Sequence, residues 1–295
     1  MYDYGNARVA ALRSRLLDPA AVRKLSDAES AGAFLAVLER LEDWHAITRE
    51  TEALFPEPQA AIEAAIERHR SARLGALPSW HEGRARRLVE ALVMSLDRER
   101  VLAIIRRRSG GATAAEVGGS VFGGALLDAA ALAVLARSAT LSALIDGLVA
   151  PGLLSADQAH EITAGIEERR GLRWLEDRLT VELDEIREER ASGRGADARL
   201  VRVLLAAERA EREAVARELA DGGPAAAWLV ERSSRLARLD GQARLGPRDP
   251  LGIGAVAGYV ADLEAQAIRL RASLTRIVAA WSPEVVAPYA ARTGG

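Results

Sequence analysis

Helical periodicity runs through nearly the whole chain and constrains its fold more than any other feature. Apolar residues recur every three or four positions. β-branched residues are sparse, and no alternating run is bounded by hairpin turns. Pro and Gly divide the chain at Phe55-Pro56-Glu57-Pro58, Ala76-Leu77-Pro78, Ser109-Gly110-Gly111, Pro151-Gly152, Ser192-Gly193-Arg194-Gly195, Asp221-Gly222-Gly223-Pro224 and Gly246-Pro247. These breaks predict about ten helices in an all-α fold. Aromatic residues are only 4% of the chain, so Ala, Leu, Val and Ile must fill the core, which suits closely packed helices.

Several function classes are set aside by composition. The net charge of -2 gives no bulk attraction for nucleic acid, and Lys24 is the only lysine among the basic residues. Zero cysteines excludes disulfides, thiol catalysis and Cys-based metal sites. The longest apolar run, around Ala125 to Leu135, is interrupted by Asp128 and falls short of the ~20 residues a membrane span needs. No secretory pattern stands at the N-terminus. The expectation is a cytoplasmic protein that meets a membrane only through a partner.

Two helix starts carry clear caps. Ser155-Ala156-Asp157-Gln158 fits a capping box, and Ser282-Pro283-Glu284 pairs an N-cap with Pro at the first helical position. Ser155 to Arg190 has no Pro and mixes charges of both signs, so it reads as one solvated, salt-bridged rod with a kink at Gly171.

The C-terminal segment is the most informative. Asp249 precedes Pro250, which pushes it out of helical geometry and lets its carboxylate accept from the first free amides. Val256, Val260, Leu263, Ala267, Leu270, Leu274 and Ile277 then form one apolar stripe, and Gly254 and Gly258 invite a close backbone approach. Glu264 lies beside the stripe, two turns from Arg271. The spacing favours a partly exposed ion pair worth ~0–1 kcal/mol; the other reading is a partly buried acid fixing this helix against the N-terminal one. A faint repeat accompanies it: Asp97, Glu211 and Glu264 each precede an aliphatic residue by four, with arginines downstream.

Asp249-Pro250-Leu251-Gly252-Ile253-Gly254, with Tyr259, Glu264, Arg269 and Arg271, resembles the C-terminal signature of a V/A-type ATPase family, that of the C-type protein of the central stalk and its eukaryotic d-type relative. Tyr4, Asn6, Ala7 and Arg8, followed by Leu12, Arg13, Leu16 and Leu17, resemble the N-terminal pattern of the same family. Between them, Asp97 to Arg108 and Gly118-Gly119 to Leu127 sit where that family has a helix and then a Gly-containing turn. There are departures: Ala267-Ile268-Arg269 stands where an Asn-Leu-Arg step is common, and Glu208 to Arg217 is hard to align.

The resemblance implies a funnel-shaped assembly of three related helical lobes with pseudo-threefold symmetry, over approximately residues 1–110, 111–220 and 221–295. It implies a non-catalytic component of the central stalk that couples the D–F shaft to the membrane rotor ring for proton or sodium transport. No cofactor, small-molecule substrate or nucleic acid is implied. Of the signature residues, none is catalytic, and the residues that touch shaft and ring are not identified. A helical adaptor unrelated to rotary machines is the alternative. A helical enzyme is disfavoured because no nucleophile–base pair or metal set can be assembled.

Other residues have ordinary readings. His45, His69, His81 and His160 are too scattered in sequence for a zinc site and read as surface or packing residues. Gly118 to Gly124 has no preceding strand and no following Lys, so it reads as a turn rather than a phosphate loop. Asp184, Glu185, Glu188 and Glu189 read as a solvated face, and Arg106 to Arg108 as the basic end of a helix. Trp44, Trp80, Trp174, Trp228 and Trp281 read as anchors of helix junctions.

Overall fold

The computed structural model describes residues 2–113, 116–117 and 122–279, with the backbone alone over 220–230. Ser282-Pro283-Glu284, Trp281, the side chain of Trp228 and most of the Gly118–Gly124 turn lie outside these. Among the described residues there are fourteen α-helices, a short 3₁₀ turn and no strand, so the protein is all-α.

The chain forms two compact units. One comprises Met1–Arg70 with Val203–Gly295, the other Ser71–Arg202. Both chain crossings fall inside helices: α5 (Pro58–Ala76) and α12 (Ala196–Ala243).

The first unit begins with α1 (Asp3–Arg13), α2 (Pro19–Ser26), α3 (Ala31–Glu39) and α4 (Glu42–Leu54). The Gly and Pro breaks named above do not reveal these short helices; polar caps start α2 and α3, and α1 and α4 have no side-chain cap. The Asp18 carboxylate accepts from the Ala21 amide at 2.7 Å, and the Ser30 hydroxyl accepts from the Ala33 amide at 3.1 Å.

After the later part of α12 and the short α13 (Leu245–Arg248), the unit is completed by α14 (Ile253–Ala279). The apolar stripe understates this helix. Val256, Leu263, Ala267, Leu270 and Leu274 are buried as the period predicts, but so are Ala257, Ala261, Ala265 and Ala272 on other faces. Ala267, Leu270 and Leu274 pack with Leu25, Phe34, Leu38 and Trp44, while Ala261, Ala265 and Ala272 pack with Leu236 and Leu239. Small residues keep both sides close enough to bury, so α14 is the axis of the unit.

The 48-residue α12 does not run straight. Glu211 and Arg238 would lie about 40 Å apart along an uninterrupted helix. The Arg238 guanidinium nevertheless donates to Glu211. The chain therefore reverses direction between them, in the interval that contains the Asp221-Gly222-Gly223-Pro224 break.

The second unit holds α6 (Gly83–Val93), α7 (Ser95–Ser109), α8 (Ala129–Ala136), α9 (Leu141–Asp146), α10 (Ala156–Glu167) and α11 (Leu172–Arg190). Its core joins Val101, Ile104 and Ile105 of α7 to Leu132, Leu135, Ile162, Leu175 and Leu179. The capping box at Ser155 and Gln158 forms in full. The rod expected over Ser155 to Arg190 does not form. α10 ends in a Schellman motif: the Arg170 amide donates to the Gly165 carbonyl, the Arg169 amide donates to Ile166, and Arg169 takes φ 57°. Gly171 follows at φ 90°, a conformation glycine adopts without strain, and α11 folds back onto α10. The Trp174 ring fills the place that a Cβ on Gly165 would take. Caps and a small-residue contact break the rod where charge patterning alone showed nothing.

Gly258 and Gly241 make a clean test of close packing. A Cβ on Gly258 would stand 2.8 Å from the Gly246 nitrogen and 2.9 Å from its Cα, both backbone atoms. Gly241 is helical with nothing nearby. In equilibrium unfolding, Gly258→Ala is expected to destabilise by about 1–3 kcal/mol through overpacking. Gly241→Ala is expected to stabilise by up to about 1 kcal/mol, since Ala is the better helix former.

Candidate functional site

The N- and C-terminal signature segments meet in the first unit. Asn6 is buried on α1, and its amide nitrogen donates to the carbonyls of Gly252 at 3.0 Å and Pro250 at 3.2 Å. Seven residues on, Arg13 donates to the Ala243 carbonyl and pairs with Asp262 at 2.7 Å. Beyond α1, the Leu17 amide donates to Gln266 at 2.8 Å. Burial pushes the Asp262 carboxyl up, against the opposing pull of Arg13 and Arg269. These fastenings lie along the contact of α1 with α14, the neighbour the sequence suggested for the C-terminal segment.

Asp249 caps α14 from a distance. Its backbone is non-helical, at φ −136° and ψ 68°. Its carboxylate reaches over Pro250 and Leu251 to accept from the Gly254 amide at 2.9 Å. Gly254 and Gly258 both allow close approach, the first to the Asp249 side chain and the second to the Gly246 backbone. Tyr259 is buried. Ala7, Tyr4, Arg8, Pro250 and Leu251 face outward, with the Arg8 guanidinium stacked 4.8 Å over the Tyr4 ring.

Glu264 corrects the exposed-pair reading. It is 7% exposed and does not pair with Arg271. Arg70 of α5 donates to one of its oxygens at 2.6 Å, and Arg235 of α12 donates to the other at 3.0 Å. Arg70 also holds Glu67, which in turn takes Arg271. The acid sits deep because the stripe is only one of the buried faces of α14, so its partners come from distant chain segments and not from the next turns. Arg269 pairs with Asp240 at 2.9 Å. Thus α14 is fastened to α1, α5 and α12.

The three acids of the faint repeat are used differently. Glu264 bridges two arginines, and Glu211 takes Arg238 across the reversal of α12. Asp97 is fully buried and accepts the backbone amides of Ala125, Leu126 and Leu127.

Asp184 corrects the solvated-face reading. It is buried between Arg98 at 2.6 Å and Arg187 at 3.4 Å, while Glu185 and Glu189 stay exposed. Those two acids line a groove of about 800 Å³ with Arg87, Gln158 and Arg190. Its lining mixes both charge signs, so it selects no single class of ligand. Arg106 lies in the last turn of α7 and is held by both oxygens of Glu176, at 2.8 and 2.9 Å. Trp44 is buried and stacks on His69 with centroids 4.2 Å apart. His81 is buried, and desolvation lowers its pKa against the hydrogen bond to Leu77. His45 and His160 are exposed. Among the described residues, no group of three or more His, Asp or Glu side chains is arranged to hold a metal ion.

The geometry is that of a fastened helical body. Residues 5–185 match the family model of the ATP synthase (C/AC39) subunit, and the chain belongs to this family. No curated protein matches the chain. Family membership makes it a subunit of a V/A-type rotary ATPase complex, in a family that is generally non-catalytic. The match begins within α1 and ends within α11, so the Asp249–Arg271 segment lies beyond it. Among the described residues, no helix is long and apolar enough to cross a membrane.

The buried acid is open to measurement. Glu264→Ala leaves two guanidinium groups without their shared carboxylate and is expected to cost about 3–5 kcal/mol in denaturant unfolding. Arg173→Ala removes only the exposed 4.0 Å pair with Asp177, and is expected to change stability by less than about 0.5 kcal/mol.

Proposed function

We propose that this chain is the non-catalytic central-stalk coupler of a V/A-type rotary ATPase. It receives the D–F shaft and seats it on the membrane rotor ring, linking the catalytic head to proton or sodium transport. In this reading it is peripheral, on the inner face of the membrane through the ring. The three-lobed funnel over approximately 1–110, 111–220 and 221–295 belongs to the same reading.

The single observation that carries the proposal is the family match over residues 5–185. Packing supports it in kind. A part that transmits torque must not yield under load, and a helix buried on several faces and ion-paired to three others supplies that stiffness in the first unit. Nothing in the reading requires the chain to bind a nucleotide or perform a reaction.

Co-expression with the D and F shaft proteins tests it. The expected result is a complex that survives moderate salt on size exclusion and shows no ATP hydrolysis by the purified chain alone. Failure to retain the D–F pair would overturn the coupling role and favour a helical adaptor.

A further inference from the structure

Asp97 is a buried acid that the coupling role does not use. It lies on α7 with no solvent exposure. Oδ1 alone accepts three successive backbone amides, from Ala125 at 2.9 Å, Leu126 at 3.1 Å and Leu127 at 3.0 Å. Oδ2 receives only a second, 3.1 Å contact from the Leu126 amide. Consecutive amides converging on one oxygen form a nest, an arrangement that elsewhere binds free anions. Here the chain's own carboxyl occupies it. Gly124 makes the fit possible, because a Cβ at that position would collide with the Asp97 carboxyl.

The surroundings supply little compensating charge. Residues 122 to 127 and the whole of α8 carry no ionisable side chain. From the end of α5, Ser71 faces α7 and accepts from Arg100 at 2.7 Å. Arg100 is the charged group whose field reaches Asp97. Asp184 of α11 is engaged with Arg98 and Arg187, and Glu90 of α6 with Arg86 and Arg190. Among the described residues, no arginine or lysine forms an ion pair with Asp97.

We propose that Asp97 is a proton-operated latch that holds the Ala125–Leu127 turn on α7, tighter when the carboxyl is protonated and looser when it is ionised. The asymmetry of the two oxygens makes this workable. Oδ1 keeps the three amide bonds in either state, while Oδ2 can carry the proton without displacing the turn. Ionisation adds the cost of a charge in a dry site, and opening the turn relieves it by admitting water.

Desolvation is the largest influence on the group and raises its pKa from 3.8 to about 6, against the pull of the three amides and of Arg100. The sign follows from linkage. The latched state holds its proton more tightly than an opened, hydrated state does. Acid therefore favours closure, and closure weakens as pH rises through about 6.

Hydrogen–deuterium exchange on the full chain tests this directly. After correction for intrinsic exchange, protection of the amides of Ala125, Leu126 and Leu127 is expected to fall about ten-fold between about pH 5 and about pH 7.5. In Asp97→Asn the acceptor oxygen remains but nothing titrates, so protection is expected to stay level. In Gly124→Ala the displaced carboxyl is expected to leave these amides unprotected at both pH values while α7 stays protected. Wild-type protection that is level with pH, or an equal fall in Asp97→Asn, would overturn the latch. Should the variants fail to fold, the carboxyl carbon resonance of Asp97 in the wild type decides. A midpoint near 6 supports the proposal, and one near the ordinary aspartate value sinks it.

Discussion

The first unit depends on one buried carboxylate. Glu264 stands on the most enclosed helix of that unit, and its two oxygens are divided between Arg70 and Arg235. Taking such charges out of water is unfavourable unless the geometry is good and the remaining donors are occupied. That cost is a form of specificity. A shifted register of α14 would leave two guanidinium groups facing alanines, so the ion pairs select one alignment of a helix whose apolar faces alone would tolerate several. Arginine suits this task because one planar fork can serve two carboxylates, as Arg70 does for Glu264 and Glu67.

The second unit solves the same problem with the backbone. Asp97 is ion-paired to no arginine or lysine among the described residues and relies on three amides of a turn. Asp184, on α11 of the same unit, instead draws in two arginines. Acids that look alike in sequence are thus buried by different means.

Much of the fold was legible in the sequence, because helical periodicity and capping are local properties. The Ser155 box, the Asp249 cap and the Pro58 start follow from residues within a few positions of each other. The short helices α1 to α4 were harder, since the single Asp and Ser caps of α2 and α3 punctuate less visibly than Gly or Pro and α1 and α4 have no side-chain cap. The site was legible only in part. The meeting of Asn6 with Gly252 matched the expected closeness of the two ends, and the approach of the Gly246 backbone to Gly258 matched the expected close packing at that glycine. The partners of Glu264 did not. Arg70 lies 194 positions away, and no local spacing rule can select it from the chain's many arginines. Asp184 was misread for the same reason: Arg98 comes from another helix, 86 positions earlier.

The division of the chain into a unit built from both ends and a unit built from the middle has a consequence for biosynthesis. Residues 71–202 leave the ribosome as a contiguous block that carries the core cluster running from Met94 to Leu183. Helices α1 to α4 emerge earlier but have to wait. Their apolar faces are completed by Ala267, Leu270 and Leu274, which are made well over a hundred residues later. During that interval Phe34, Leu38 and Trp44 have only nearby segments such as Ile62 and Ile66 of α5 to pack against. The first unit therefore cannot complete this core until its last helix has been made.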